Sequence, residues 1–198
     1  FNLGVVQKRA GQLEDAILSY KKTISLLPSY AEAHNNLGNI LKLMGQADMA
    51  TKYYISAIKA KPDFADAHNN LGISFKDNMS FDDAIKCFEK SLEINPSNYD
   101  ACFNLANVWR DLQFRNKALQ YYELASKINP SADYILGNVM FTKAHLCEWN
   151  RWTKDLKELA DKINKNQKVI GPFALKAMID DPELQLKATL IYVCLLYT

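Results

Sequence analysis

The chain has 198 residues, 48% hydrophobic and 23% charged, the balance of an ordinary folded protein. Its formal net charge is +2 and no run of Lys or Arg exceeds two, so the electrostatic footprint of a nucleic-acid binder is missing. The longest apolar run, residues 190–197, is far short of the ~20 residues that span a bilayer, which excludes a membrane helix there.

In chain order, residues 1–28 read as the end of one helix, a turn at Ala10-Gly11-Gln12, and a second helix over about 13–27. Residues 31–61 repeat that plan, with Gly45 ending the first helix. Residues 65–95 repeat it again, and Ser80 with the acids after it reads as a helix cap. Residues 99–129 are a fourth copy. Pro28, Pro62, Pro96 and Pro130 follow the second helices, where a helix cannot continue. Beyond Pro130 the period fades. Tyr134, Leu136, Val139 and Met140 keep the first-helix spacing, and Trp149, Trp152, Leu156, Leu159 and Ile163 predict an amphipathic second helix ended at Asn164-Lys165-Asn166. A connector through Gly171-Pro172 follows. Asp181-Pro182 then starts a last helix, with Asp at the cap and Pro at the first helical position. The expected divisions are an array over 1–130, a degenerate pair over 131–165, and a connector with a helix over 166–198. The chain opens inside a repeat and closes in an apolar run, as though cut at both ends.

The stretch Ala33-His34-Asn35-Asn36-Leu37-Gly38 recurs 34 residues later as Ala67-His68-Asn69-Asn70-Leu71-Gly72, and again as Ala101-Cys102-Phe103-Asn104-Leu105-Ala106. Such a period marks a helical repeat array. With Ala31 as position 1, small or apolar residues fall at positions 4, 7, 8, 11, 20, 24 and 27, with proline at 32: His34, Leu37, Gly38, Leu41, Ala50, Tyr54, Ala57 and Pro62 in this copy. This resembles the tetratricopeptide repeat, although the aromatic residue of position 4 is missing from the three full copies. The resemblance implies an all-α fold: a right-handed superhelical array of antiparallel helix pairs, an α-solenoid with a degenerate C-terminal helical cap.

At ~100° per residue, positions 4, 7, 8 and 11 share one side of the first helix, and positions 2, 6, 9 and 13 share the other. First helices of such arrays line an extended concave surface used for binding. Position 6 is Asn in every copy: Asn2, Asn36, Asn70, Asn104 and Asn138. Helix propensity does not favour Asn. A carboxamide offers a donor and an acceptor, as a peptide unit does. Helices ~8–10 Å apart would present one amide to about three residues of an extended peptide advancing ~3.3–3.6 Å each. The other reading is that these amides tie adjacent repeats together or are solvated. Asn39 and Asn107 at position 9, and Asp77 and Asp111 at position 13, join them as candidate peptide-binding residues. Both acids stand near a helix C-terminus, where the dipole opposes them. The position-2 acids Glu32, Asp66 and Asp100 complement the dipole of a first turn instead. Some tetratricopeptide domains hold chaperone tails with a basic clamp at positions 2, 5 and 6, and here those positions carry acids, asparagines and aromatics.

His34 and His68 read as packed residues with one ring nitrogen hydrogen-bonded. No nucleophile, phosphate loop or converging carboxylate pair appears, so no catalytic residue and no cofactor are expected. Cys87, Cys102, Cys147 and Cys194 form no C-x-x-C and read as reduced thiols of a cytoplasmic protein. His145 and Cys147 lack a second ligand pair, so no metal is expected. The apolar residues 191–196 offer a homodimer contact through the C-terminal end.

The tail carries a narrower resemblance. Cys147-Glu148-Trp149 is followed by Gly171-Pro172-Phe173-Ala174-Leu175 and then Asp180-Asp181-Pro182-Glu183-Leu184-Gln185. This order resembles the segment that joins repeats to catalytic domain in bacterial relatives of O-linked N-acetylglucosamine transferase, with Glu148 where that family often has Asp. The resemblance implies that Asn36, Asn70 and Asn104 contact the backbone of protein substrates. It also implies an arm for an enzyme whose catalytic domain is not among these residues. A free-standing scaffold or adaptor is the alternative.

Overall fold

The computed structural model describes residues 1–193, with Val193 described in its backbone alone. Those residues form twelve helices and no strand: α1 (Asn2–Arg9), α2 (Leu13–Leu26), α3 (Ala31–Leu43), α4 (Ala47–Ala60), α5 (Ala65–Asp77), α6 (Phe81–Ile94), α7 (Tyr99–Asp111), α8 (Arg115–Ile128), α9 (Ile135–His145), α10 (Trp152–Asn164), α11 (Pro172–Lys176) and α12 (Pro182–Val193). Residue 194 and those after it, with Cys194 and half of the expected dimer contact, lie outside the described residues. No helix among the described residues is long and apolar enough to cross a membrane.

The period sets the backbone as well as the packing. The residue before each proline of the array closes its second helix in extended conformation, with ψ of 80°, 94°, 92° and 88° at Leu27, Lys61, Asn95 and Asn129. Clash with the proline ring disfavours helical ψ at that position. Between the helices of a pair the chain turns through a left-handed residue, again every 34 positions. Gly11 and Gly45 adopt φ of 75° and 76°, whereas Met79 and Gln113 adopt 59° and 66° with a side chain to accommodate. A left-handed non-glycine residue costs ~1–2 kcal/mol. We expect Met79→Gly and Gln113→Gly each to raise stability by about 1 kcal/mol, read as a higher urea midpoint. The matching Gly45→Met should lower it.

Two sequence expectations need correction here. Ser80 is the residue before α6, but its hydroxyl makes no cap hydrogen bond. Gln12, Gln46 and Phe114 hold the same place with nearly the same backbone, so the turn geometry comes from the tight left-handed link and not from a side-chain cap. The second helix of the fifth pair starts at Trp152. Trp149 sits in the preceding turn with its ring edge-on to Trp152 at 4.8 Å. The expected cap at Asp181 is formed: the Leu184 N–H donates to Asp181 Oδ1 at 3.1 Å.

The chain divides into two compact units, Phe1–Asn104 and the part from Leu105 onward. In the first, each pair closes around an aromatic ring of the second helix laid on a glycine of the first. A Cβ on Gly38 would stand 2.6 Å from the Tyr54 ring, and one on Gly72 would stand 2.7 Å from the Phe88 ring. Leu37, Ile40, Leu41, Ala50 and Tyr54 form the centre of the core that α2, α3 and α4 share. His34 and His68 each have one ring nitrogen hydrogen-bonded, as expected, while His34 Nδ1 is buried without a partner among the described residues. Each Nε2 reaches the carbonyl of the preceding repeat's proline, Pro28 at 2.8 Å and Pro62 at 2.9 Å. A carbonyl only accepts, so Nε2 carries the proton in both.

In the second unit the residues of the degenerate pair and of the connector share one core. It consists of Met140, Leu159, Ile163, Val169, Ile170, Leu175, Leu184 and Ala188. The segment between α10 and α11 crosses the start of α9. Its Lys168 carbonyl accepts from the Tyr134 N–H, and its Val169 carbonyl accepts from the Gly137 N–H at 2.9 Å. These bonds satisfy donors that a helix start otherwise leaves open. Gly137 is required by that approach. A Cβ there would lie 2.5 Å from the Val169 carbonyl oxygen and 2.7 Å from Ile170 Cβ.

Candidate functional site

The position-6 asparagines do not all do the same thing, and the residue one repeat earlier at position 5 decides which. Asn70 Nδ2 donates to Asn35 Oδ1 at 2.9 Å, and Asn104 Nδ2 donates to Asn69 Oδ1 at 3.1 Å. The acceptors Asn35 and Asn69 are 5% and 7% exposed, so each bond satisfies a buried carbonyl oxygen and links two consecutive first helices of the first unit. Where the earlier position 5 is aromatic, the pattern changes. Phe1 precedes Asn36 by one repeat. Asn36 lies beside the Tyr20 phenol instead, although the two make no well-formed hydrogen bond among the described residues. Burial pushes that phenol above its ordinary value, and the Asn36 amide pulls it partly back. Phe103 precedes Asn138, and Asn138 Nδ2 turns back to its own helix at the Tyr134 carbonyl, 3.0 Å away. Asn2 is exposed at the start of α1.

The bridging amides thus tie adjacent repeats. Each also keeps its own Oδ1 and a second N–H, at half-buried positions. Side-chain amides held by a neighbour lose less freedom when they bind a further group.

The position-9 asparagines hold the ring behind them. Tyr54 Oη donates to Asn39 Oδ1 at 2.9 Å, and Tyr122 Oη donates to Asn107 Oδ1 at 2.6 Å. The third repeat lacks both partners together, with Ile73 at position 9 and Phe88 at position 24. Burial pushes the Tyr54 phenol up to about 12, so it is a proton donor at any physiological pH. Asp77 forms an ion pair with Lys42 of the preceding repeat at 2.9 Å, and Asp111 pairs with its neighbour Arg110 at 2.9 Å. Both pairs are exposed enough to contribute little to stability. Through Arg110, whose Nη1 donates to Tyr122 Oη at 3.1 Å, the second unit joins Asn107 and Asp111 in one network.

The structure adds Asn35, Asn69, Arg110 and Tyr122 to the residues named from sequence. The Asn-Asn doublets at 35–36 and 69–70, against Phe-Asn at 1–2 and 103–104, were the available signal for the first two.

Among the described residues no group of three or more His, Cys, Asp or Glu side chains is placed to hold a metal. Burial pushes the Cys87 and Cys102 thiols up to about 11, with Asp83 adding to the effect at Cys87, while Cys147 is exposed. The thiolate is the reacting form. At pH 8, iodoacetamide should therefore label Cys147 at least ~10-fold faster than Cys87 or Cys102, as read by peptide mass spectrometry.

Residues 31–64 and 65–98 each match the tetratricopeptide repeat family, and residues 8–45 match the family described as TPR repeat. Residues 8–98 carry tetratricopeptide repeats. Several solved tetratricopeptide-like folds superpose on it. Pseudomonas aeruginosa pilF is 18% identical with a TM-score of 0.75, the match covering 98% of this chain and 87% of that one. MamA is 21% identical with a TM-score of 0.72, covering 83% and 96%. YrrB, described as a TPR protein with an unusual peptide-binding site, is 20% identical with a TM-score of 0.63, covering 94% and 88%. At these identities the likeness concerns the all-helical fold. No curated protein matches the sequence.

Proposed function

We propose that this chain is a protein-interaction module whose first-helix face holds extended peptide segments of a partner, with Asn36, Asn70 and Asn104 pairing to the peptide backbone. The observation that carries the reading is the tethering of Asn70 and Asn104 by Asn35 and Asn69. It fixes two amides one repeat apart while leaving each an acceptor and a donor. The repeat family, and a fold shared with a tetratricopeptide protein described by its peptide-binding site, support it. Asn2, Asn138, Asn39, Asn107, Asp77 and Asp111 would extend or shape the surface.

The larger setting has two readings. The motif order from Cys147 to Gln185 favours the substrate-recognition arm of a protein glycosyltransferase. Yet several of those residues have structural work here. Leu175 and Leu184 are buried, Asp181 caps α12, and Gln185 Nε2 donates to the Ile179 carbonyl at 2.7 Å. A free-standing scaffold fits the same surface equally well.

Peptides selected on the wild-type chain from an unbiased library provide the test. Three backbone pairs at about 1 kcal/mol each predict that replacing Asn36, Asn70 and Asn104 by Ala raises Kd by about 100-fold. Loss of Asn70 and Asn104 also leaves buried acceptors open, so Asn36→Ala alone serves as the clean variant. It should weaken capture about 5-fold at unchanged thermal stability. Undiminished capture by both variants would remove the ladder from the binding account.

A further inference from the structure

The second unit contains a cavity of about 260 Å³ walled by the end of α7, the turn into α8, and the last turns of α9. We infer that it receives a carboxylate, the side chain of an Asp or Glu in a protein partner. The inference rests on the protein-interaction reading above and names one chemical feature of the partner.

Four observations converge. First, Arg110 is held on three of its donors. Nε and Nη2 donate to Asp111 Oδ1 at 3.2 and 2.9 Å, and Nη1 donates to Tyr122 Oη at 3.1 Å. Tyr122 is fully buried, so one end of the guanidinium is tied to a fixed group, while the Arg110 side chain itself is 43% exposed. The Nε/Nη2 fork is taken by Asp111, and among the described residues one N–H on each Nη stays open to a further acceptor on an already oriented group. Second, Arg115 faces the same cavity, steadied by the Gln113 side chain at 2.7 Å. Third, Arg115 and Lys117 stand in the first turn of α8, where the helix dipole disfavours cations. The corresponding turns of α2, α4 and α6 carry Glu14, Asp15, Asp48, Asp82 and Asp83, and α8 carries no acid. An anion in the cavity would supply the missing negative charge. Fourth, Phe141, with the His145 ring edge-on at 4.5 Å, gives the cavity an apolar wall for an aliphatic stem.

Charge decides between the anions. Arg110 and Arg115 against Asp111 leave one net positive charge among the lining Arg and Asp side chains. That balances a monoanionic carboxylate and leaves a phosphate dianion half-neutralised. The site is separate in sequence position from any basic clamp at positions 2, 5 and 6, since Arg110 holds position 12 and Arg115 position 17.

The test is an NMR titration of the ¹⁵N-labelled full chain with glutamate capped as its N-acetyl methylamide, beside capped glutamine and inorganic phosphate. Capped glutamate should shift the backbone amides of residues 113–117 and 142–146 saturably at millimolar concentration, and capped glutamine should not. Arg115→Gln, which leaves the Arg110–Tyr122 contact in place, should weaken the effect at least tenfold with unchanged helicity. The Asn36, Asn70 and Asn104 alanine variant should bind capped glutamate as the wild type does. Equal shifts from glutamine, tighter binding of phosphate, the absence of saturable shifts, or an unaffected Arg115→Gln would each overturn the inference. Capped glutamate binding in a chain that captures no peptide would sink the proposed function and leave this site standing.

Discussion

Gly137→Ala should destabilise the second unit by about 3–4 kcal/mol. Intrinsic propensity alone favours Ala over Gly in a helix by about 1 kcal/mol, so the expected sign is opposite to that of a helix-propensity argument. The reason is the backbone carbonyl of Val169, 2.5 Å from where the new methyl must go. Backbone has no rotamer to escape into, so the crossing segment must lift. That breaks two hydrogen bonds to the start of α9 and uncovers Val169 and Ile170, both buried. Exposing such side chains costs ~1.5–3 kcal/mol each, and partial movement recovers some of it. All three tryptophans, Trp109, Trp149 and Trp152, lie in this unit, so urea unfolding followed by their fluorescence reads the effect directly. Gly38→Ala is the control. Its new methyl meets the Tyr54 ring, a side chain, and the fourth repeat already carries Ala106 opposite Tyr122.

Phe88→Ala should cost about 4 kcal/mol, in the range for emptying a fully buried aromatic site. The ring fills the space that Gly72 leaves between α5 and α6. Stability in an array passes between nearest neighbours, so loss of this pair should leave α3 and α4 without a folded neighbour on one side and broaden the unfolding transition. Phe88→Tyr should stay within about 1.5 kcal/mol of wild type. Tyrosine fills the same position at Tyr20, Tyr54 and Tyr122, and the remaining cost is that of the new hydroxyl, since Ile73 stands where Asn39 and Asn107 accept from Tyr54 and Tyr122. A broad transition in Phe88→Tyr, or a sharp one at unchanged midpoint in Phe88→Ala, would contradict this packing account.

The repeat was readable because its physical causes recur at fixed spacing. Glycine against an aromatic ring, proline after the second helix and the left-handed link each return every 34 residues. Helix ends were read well where a single residue decides them, as at Asp181-Pro182. The cap at Ser80 was misread because Ser favours caps in general, whereas Gln and Phe serve equally at that turn. The crossing segment at 168–170 left no trace in the sequence. It works through backbone carbonyls, and its one required residue, Gly137, looks like any glycine in a helix. In the candidate site, the asparagine column was visible but its partners were not. Periodicity identifies which face a residue occupies. Whether Asn70 bonds to Asn35, or Asn138 to its own helix, depends on the residue across from it in space.

The central claim is that the ladder amides meet the backbone of a bound peptide, and their own NMR signals test it most directly. The side-chain NH₂ resonances of Asn36, Asn70 and Asn104 can be followed while a library-selected peptide is added to the ¹⁵N-labelled chain. The account predicts that all three pairs shift together and saturate with the Kd of the peptide. It also predicts that methylating the peptide's backbone nitrogens abolishes those shifts. Peptide binding that leaves the three amide pairs unmoved would contradict it, and would leave these asparagines as ties between repeats and nothing more.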